Sequence, residues 1–100
     1  MRVRLAPRAL SEAERLKTWW LKNRPIAPEL FDEEIAAAVE RIGAAPGLGA
    51  IYPSSFGRTL RRVLMPRTQN HVYYVVRANK VVVPSVWGAP RAKGPKTWAI

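Results

Sequence analysis

The stretch RRVLMPRTQNHVYY runs from Arg61 to Tyr74. It brings together Arg61, Arg62, Arg67, the chain's single histidine (His71) and the adjacent Tyr73 and Tyr74. These side chains can hold phosphate and move protons. Arginine offers a charged fork to oxyanions, and histidine titrates near neutrality. A metal-free ribonuclease would need such a set: a base for the ribose 2′-hydroxyl, an acid for the leaving 5′-oxygen, and cations for the charge on the phosphorane. The same residues also suit the basic face of a small sheet that grips a partner without chemistry.

With one histidine and no cysteine, a structural zinc site, disulfides and thiolate chemistry are excluded, and no cofactor is called for. One hundred residues make one domain, 1–100, with room for a single modest core. An apolar content of 48% and four tryptophans argue for a folded chain. No apolar run approaches the roughly 20 residues that span a bilayer, and MRVRLAPRAL lacks the apolar segment of a secretory signal. A soluble cytoplasmic protein with no membrane partner is the expectation.

The net charge of +10 is unevenly placed. Glu12, Glu14, Glu29, Asp32, Glu33, Glu34 and Glu40 all lie in the first forty residues, where seven bases balance seven acids. Residues 41–100 carry ten bases and no acid, so the whole excess sits there. Solubility needs no such segregation. It points to an acidic or polyanionic partner whose association weakens as salt rises.

The elements that position these residues read as follows. MRVRLA alternates basic and apolar with period two, as a half-buried strand does, and Pro7 ends it. From about Arg8 to Asn23, Leu10, Ala13, Leu16 and Trp20 recur at helical spacing, with Ser11 and Glu14 offering a capping box unless the helix starts nearer Arg8. NRPIAP breaks the helix. A second helix opens at Pro28, with Glu29, Asp32, Glu33 and Glu34 at its positive end. Phe31, Ile35, Ala38 and Ile42 form its apolar stripe, and Gly43 is its expected stop.

Ala44 to Gly57 reads as loop by composition. Three strands follow, about 59–65, 71–77 and 81–87, at hairpin spacing and therefore antiparallel neighbours. In the middle strand Val72, Tyr74 and Val76 share one face, and His71, Tyr73 and Val75 the other. Pro84 predicts an edge, a bulge or an early end in the last strand. The tail from Gly88 to Ile100 is basic and reads as mobile unless Trp98 anchors it. The expected fold is α+β: an N-terminal strand, a helical hairpin, then a three-stranded antiparallel meander, with the helices packed on one face of the sheet.

This order and spacing resemble the RelE/ParE family of bacterial toxins from type II toxin–antitoxin systems, most nearly the ParE-like branch. The likeness rests on WW…NRP, IGAAPGLGAIY with its P-x-x-G from Pro46 to Gly49, RRVLMPRTQNHVYYVV and VVVPSVWGAPRAKGP, and spans about residues 2–95. The resemblance implies a toxin silenced by an acidic or amphipathic antitoxin. ParE-like members are described as poisoning DNA gyrase without being enzymes. RelE-like members cut messenger RNA on the ribosome, usually with Lys or Arg on the central strands plus a Tyr or His near the C-terminus. Here no Tyr, His, Asp or Glu follows Trp87.

The reading is therefore a non-catalytic gyrase poison with no catalytic residues. If the chain is instead a ribonuclease, His71, Arg61 and Arg77 must supply the chemistry. The expected target-binding residues are Arg61, Arg67, His71, Arg77, Arg91, Lys93 and Lys96. Trp19, Trp20, Arg62 and Trp87 are expected to meet the antitoxin, since Trp19 and Trp20 cannot both point at the core. Arg61 and Arg62, as strand neighbours, must face opposite sides, the one off the basic face meeting the acidic second helix or solvent.

Overall fold

The computed structural model describes residues 1–52 and 59–88. The elements follow as β1 (Arg2–Leu5), α1 (Pro7–Asn23), α2 (Leu30–Ala44), β2 (Ala50–Tyr52), β3 (Leu60–Met65), β4 (Asn70–Val76) and β5 (Lys80–Gly88). They form one five-stranded sheet in the order β1-β5-β4-β3-β2. The meander β3–β4–β5 is antiparallel, and β2 joins it antiparallel at one edge. β1 pairs with β5 in parallel, which the long connection through both helices and the three intervening strands permits. The α+β architecture is as the sequence implies.

Alternation along the strands decides which face the helices cover. Val3 and Leu5 of β1, Val63 and Met65 of β3, Val72 and Tyr74 of β4, and Val81, Val83 and Val86 of β5 pack with Ala9, Trp20, Phe31, Ala38 and Ile42 of the helices. On the opposite face a smaller cluster joins Leu60, Tyr73 and Val75, flanked by Tyr52 and Trp87.

Several local expectations are corrected. α1 begins at Pro7 with Ala6 as its cap residue and no side-chain cap, so of the two readings the early start holds and Ser11 lies inside the helix. Leu10 is 54% exposed; Ala9 and Glu12 turn inward instead. α2 starts at Leu30, leaving Pro28 in the preceding turn, although Asp32 and Glu33 do occupy its first turn. Gly43 does not stop α2, which runs to Ala44. The glycine is there because a Cβ would lie 2.9 Å from the Met1 carbonyl oxygen, where β1 crosses the helix end. The stretch read as loop contains β2, a strand too short for periodicity to reveal.

Pro84 produces the bulge. The β4–β5 register passes from Tyr73↔Ser85 to Val75↔Val82, so Val83 and Pro84 together oppose Tyr74. β1 pairs only as far as Leu5↔Val83, which spares the proline a ladder partner on that side as well.

Two buried or half-buried carboxylates tie the helices to the sheet. Glu12 is 4% exposed, and its Oε1 accepts from Ser85 Oγ at 2.8 Å and from the Val86 amide at 3.1 Å, with Arg8 alongside Oε2. Glu34 accepts from the amides of Arg67 and Thr68 at 3.0 and 2.7 Å and from Thr68 Oγ1 at 2.9 Å. It thereby fixes the β3–β4 turn, whose Gln69 adopts a positive φ of 60°. Lys17 and Asp32 pair at 2.9 Å between the helices.

Candidate functional site

The helices lie on one face of the sheet, and all seven acids lie on the helices or the turn between them. The fold thus converts a sequence asymmetry into a spatial one: the open face of the described sheet carries no carboxylate. Arg2 and Arg4 stand on this face, opposite Val3 and Leu5 along β1. Arg62, His71 and Tyr73 join them through the pairs Arg62↔Tyr73 and Leu64↔His71.

An aromatic group gathers around Arg62. Its guanidinium lies 5.2 Å from the Tyr52 ring centroid. Tyr52 meets Tyr73 edge-on at 5.0 Å, and His71 meets Tyr73 at 5.9 Å. Trp87 pairs with His71 across the β4–β5 ladder. Burial holds the His71 imidazole below its ordinary value, and the Arg62 charge adds to that effect. Burial pushes the Tyr73 hydroxyl up, opposed in part by a hydrogen bond and charge from Arg62. At neutral pH the imidazole is neutral and the phenol protonated, but Tyr73 is only 1% exposed, so the half-buried His71 and Arg62 are the members of the group that a partner can meet. Those two can accept a proton and hold an oxyanion.

Tyr74 lies on the other face and is spent on structure. Its hydroxyl donates to the Pro46 carbonyl at 2.7 Å and accepts from the Gly49 amide at 2.8 Å. Arg61, also on the helix side, donates from Nη1 to the Gly49 carbonyl at 2.9 Å and more weakly to Gly47 at 3.4 Å. Together they clamp Pro46 to Gly49. Gly49 is obligatory because a Cβ would sit 2.6 Å from the Tyr74 hydroxyl and 2.8 Å from the Arg62 carbonyl.

The structure accordingly divides the residues assigned to target binding. His71 is on the open face with Arg62, not with Arg61. Arg61 meets loop carbonyls rather than the acidic second helix or solvent. Arg61 and Arg77 line one cleft beside the clamped loop. Arg67 lies in the β3–β4 turn and borders a separate groove of about 570 Å³. Trp19, Trp20 and Trp87 line that groove too, with Arg15 and Arg24. Within it Trp20 is 8% exposed and donates from Nε1 to the Ala27 carbonyl, so it anchors the helical hairpin. Trp19 is the exposed one of the pair, at 53%, with Arg24 stacked over it at 5.8 Å. Arg62, expected on the antitoxin side, is half-buried in the aromatic cluster. Arg91, Lys93, Lys96 and Trp98 lie outside the described residues.

Tyr52 is the participant sequence reasoning missed. Its signal was weak: an apolar–aromatic IY pair after a glycine-rich run, too short to show alternation. Among the described residues, no helix is long and apolar enough to cross a membrane.

Among solved structures, the chain superposes on one from the chromosomal ParDE TA system of P. aeruginosa with a TM-score of 0.68, at 15% identity, covering 88% of this chain and 95% of that one. It also matches the YoeB dimer from Staphylococcus aureus with a TM-score of 0.50, at 16% identity, covering 87% and 94%. This chain has the RelE/ParE fold. No protein-family model matches the sequence, and no curated protein matches it significantly. Likeness at this identity is likeness of backbone, and the RelE/ParE fold supports more than one chemistry.

Proposed function

We propose that the chain is the toxin of a type II toxin–antitoxin system, and that it acts in the cytoplasm by binding and poisoning DNA gyrase without catalysis. The observation that carries this reading is the RelE/ParE fold presenting a sheet face with no carboxylate, beside a superposition better on the ParDE structure than on YoeB. A partner with negative potential is drawn to that face, and the helix side is left for a neutralising antitoxin. The exposed Trp19 and the arginine-rimmed groove beside it suit an acidic, amphipathic antitoxin segment. Arg91, Lys93 and Lys96 extend the target contact.

Purified chain added to gyrase is expected to block supercoiling while leaving ribosome-bound messenger RNA intact. Intact supercoiling at saturating protein overturns the gyrase assignment. Removing residues after Gly88 should lower toxicity more than antitoxin affinity; equal losses count against that division.

A ribonuclease remains the second reading because His71, Tyr73 and Arg62 converge on one face. Its members differ from the set His71, Arg61 and Arg77, since Arg61 lies on the other side of the sheet. His71→Ala decides between the two readings. Loss of toxicity in a folded protein that still binds antitoxin would favour cleavage.

A further inference from the structure

The cleft beside the Pro46–Gly49 clamp has no role in the reading above. It encloses about 560 Å³ and is lined by Pro46, Gly47, Thr59, Arg61, Val76 and Arg77 among others. None of its lining residues is acidic. It opens at the end of the sheet, where the start of β3 and the end of β4 meet the loop after α2, and it is lined both by Arg61 of the helix side and by Val75 of the open face.

Its two arginines are in different states. Arg61 is half-buried and oriented, because Nη1 donates to Gly49 and Gly47 carbonyls that are themselves held by Tyr74. Among the described residues these are its only hydrogen bonds, and they leave Nε and Nη2 to face elsewhere. Arg77 is exposed, and its side chain has no hydrogen-bond or salt-bridge partner among the described residues. Its backbone is fixed, since its amide donates to the Lys80 carbonyl at 2.8 Å. A pre-oriented guanidinium and a second, unneutralised one lining the same acid-free cleft, with Thr59 also in its wall, are suited to a tetrahedral oxyanion. Arginine forks match phosphate oxygens two at a time. Carbonyl groups on Arg61 hold its plane without cancelling its charge.

We infer that the Arg61–Arg77 cleft is a phosphate-binding site, distinct from the Arg62–His71 cluster, with which it shares no lining residue. The phosphate can belong to a small phosphorylated compound or to a nucleic-acid backbone, and the two differ only in what lies beyond the cleft. The site is independent of the toxin reading: phosphate binding is measured on the purified chain with no topoisomerase or ribosome present.

The test is a titration of the full chain with pyrophosphate and with a short single-stranded oligonucleotide, at constant ionic strength. Nitrogen-15 spectra report the arginine Nε–H signals, and calorimetry gives the Kd. The Arg61 and Arg77 signals are expected to move first. Arg77→Ala should raise the Kd about tenfold, the cost of a hydrogen bond to a charged group. Arg24→Ala removes one charge elsewhere and should change it by less than about twofold. Arg77→Lys restores the charge without the fork and should recover only part of the loss. Tight pyrophosphate binding with no gain from the oligonucleotide assigns the site to free phosphorylated compounds. Tighter oligonucleotide binding with the same Arg77 dependence assigns it to a nucleic-acid backbone. Equal losses in Arg77→Ala and Arg24→Ala, or arginine signals that move together, would show only the attraction of a cationic protein for anions and overturn the site.

Discussion

The two faces of the sheet use the same residue types for opposite ends. Tyr73 and Tyr74 are neighbours in sequence, and so are Arg61 and Arg62. On the helix-covered face Tyr74 and Arg61 hold a loop: the Tyr74 hydroxyl and Arg61 Nη1 have backbone partners, and the neighbouring glycine has no room for a methyl group. On the open face Tyr73 and Arg62 meet other side chains, aromatic rings and a histidine, with no carboxylate opposing them. The lesson is that residue identity in a strand sets a repertoire, and the face to which it points selects the use. Buried polar groups must be paired and so become structural, as both tyrosines are, whereas the half-buried Arg62 and His71 retain capacity for a partner.

The sharpest way to break this comparison is Gly49→Ala. The new Cβ meets both the Tyr74 hydroxyl and the Arg62 backbone, and backbone cannot step aside. Unfolding in urea should show a loss of about 3 kcal/mol. Near-native stability would mean the clamp is loose.

Next comes the tyrosine pair. Tyr74→Phe leaves the Gly49 amide and Pro46 carbonyl without their partner and should cost about 2 kcal/mol. Tyr73→Phe should cost less, about 1 kcal/mol, because its buried hydroxyl meets the Arg62 side chain rather than two backbone groups. Equal costs would remove the distinction between faces.

The arginine pair gives a smaller but more diagnostic contrast. Arg61→Ala is expected to lower stability by about 1 kcal/mol through the loop. Arg62→Ala should leave the melting temperature nearly unchanged yet weaken toxicity in a growth assay. Loss of both properties in one variant would argue that the cluster around Arg62 is itself structural.

The smallest effect concerns pH. The folded pKa of His71 lies below its ordinary 6.5, so the unfolded chain binds the proton more readily. His71 therefore contributes stability above about pH 6.5 that is lost as pH falls through that value toward the depressed folded one. His71→Gln should flatten this acid limb in denaturant titrations from pH 7 to 5, and an unchanged slope would show that the ring is freely solvated.

Much of this organisation was legible in the chain. Helical spacing through Phe31, Ala38 and Ile42 located the second helix, and hairpin-length connections placed the three long strands side by side. The alternation Val72, Tyr74 against His71, Tyr73 correctly separated two faces, since period two is a local property of extended backbone. The errors fell where local signals compete. Gly43 read as a helix stop although close packing against Met1 and Val3 explains it, and Pro28 read as the opening of α2 although the helix starts at Leu30. Tyr52 escaped notice because three residues cannot display a period.

The sequence alone determined that acids and bases are segregated between the halves, that helices precede the meander, and that Arg61 and Arg62 must part company. Only the tertiary structure decided which arginine goes where. That choice depends on which side of the sheet the helices cover, and covering is a long-range outcome. It follows from burying Val63, Val72 and Val83 beneath Phe31 and Ile42, residues far apart in the chain. Once that face closes, Arg61 and Tyr74 must find backbone partners in the Pro46–Gly49 loop, and Arg62, Tyr73 and His71 are left on the face that no acid reaches.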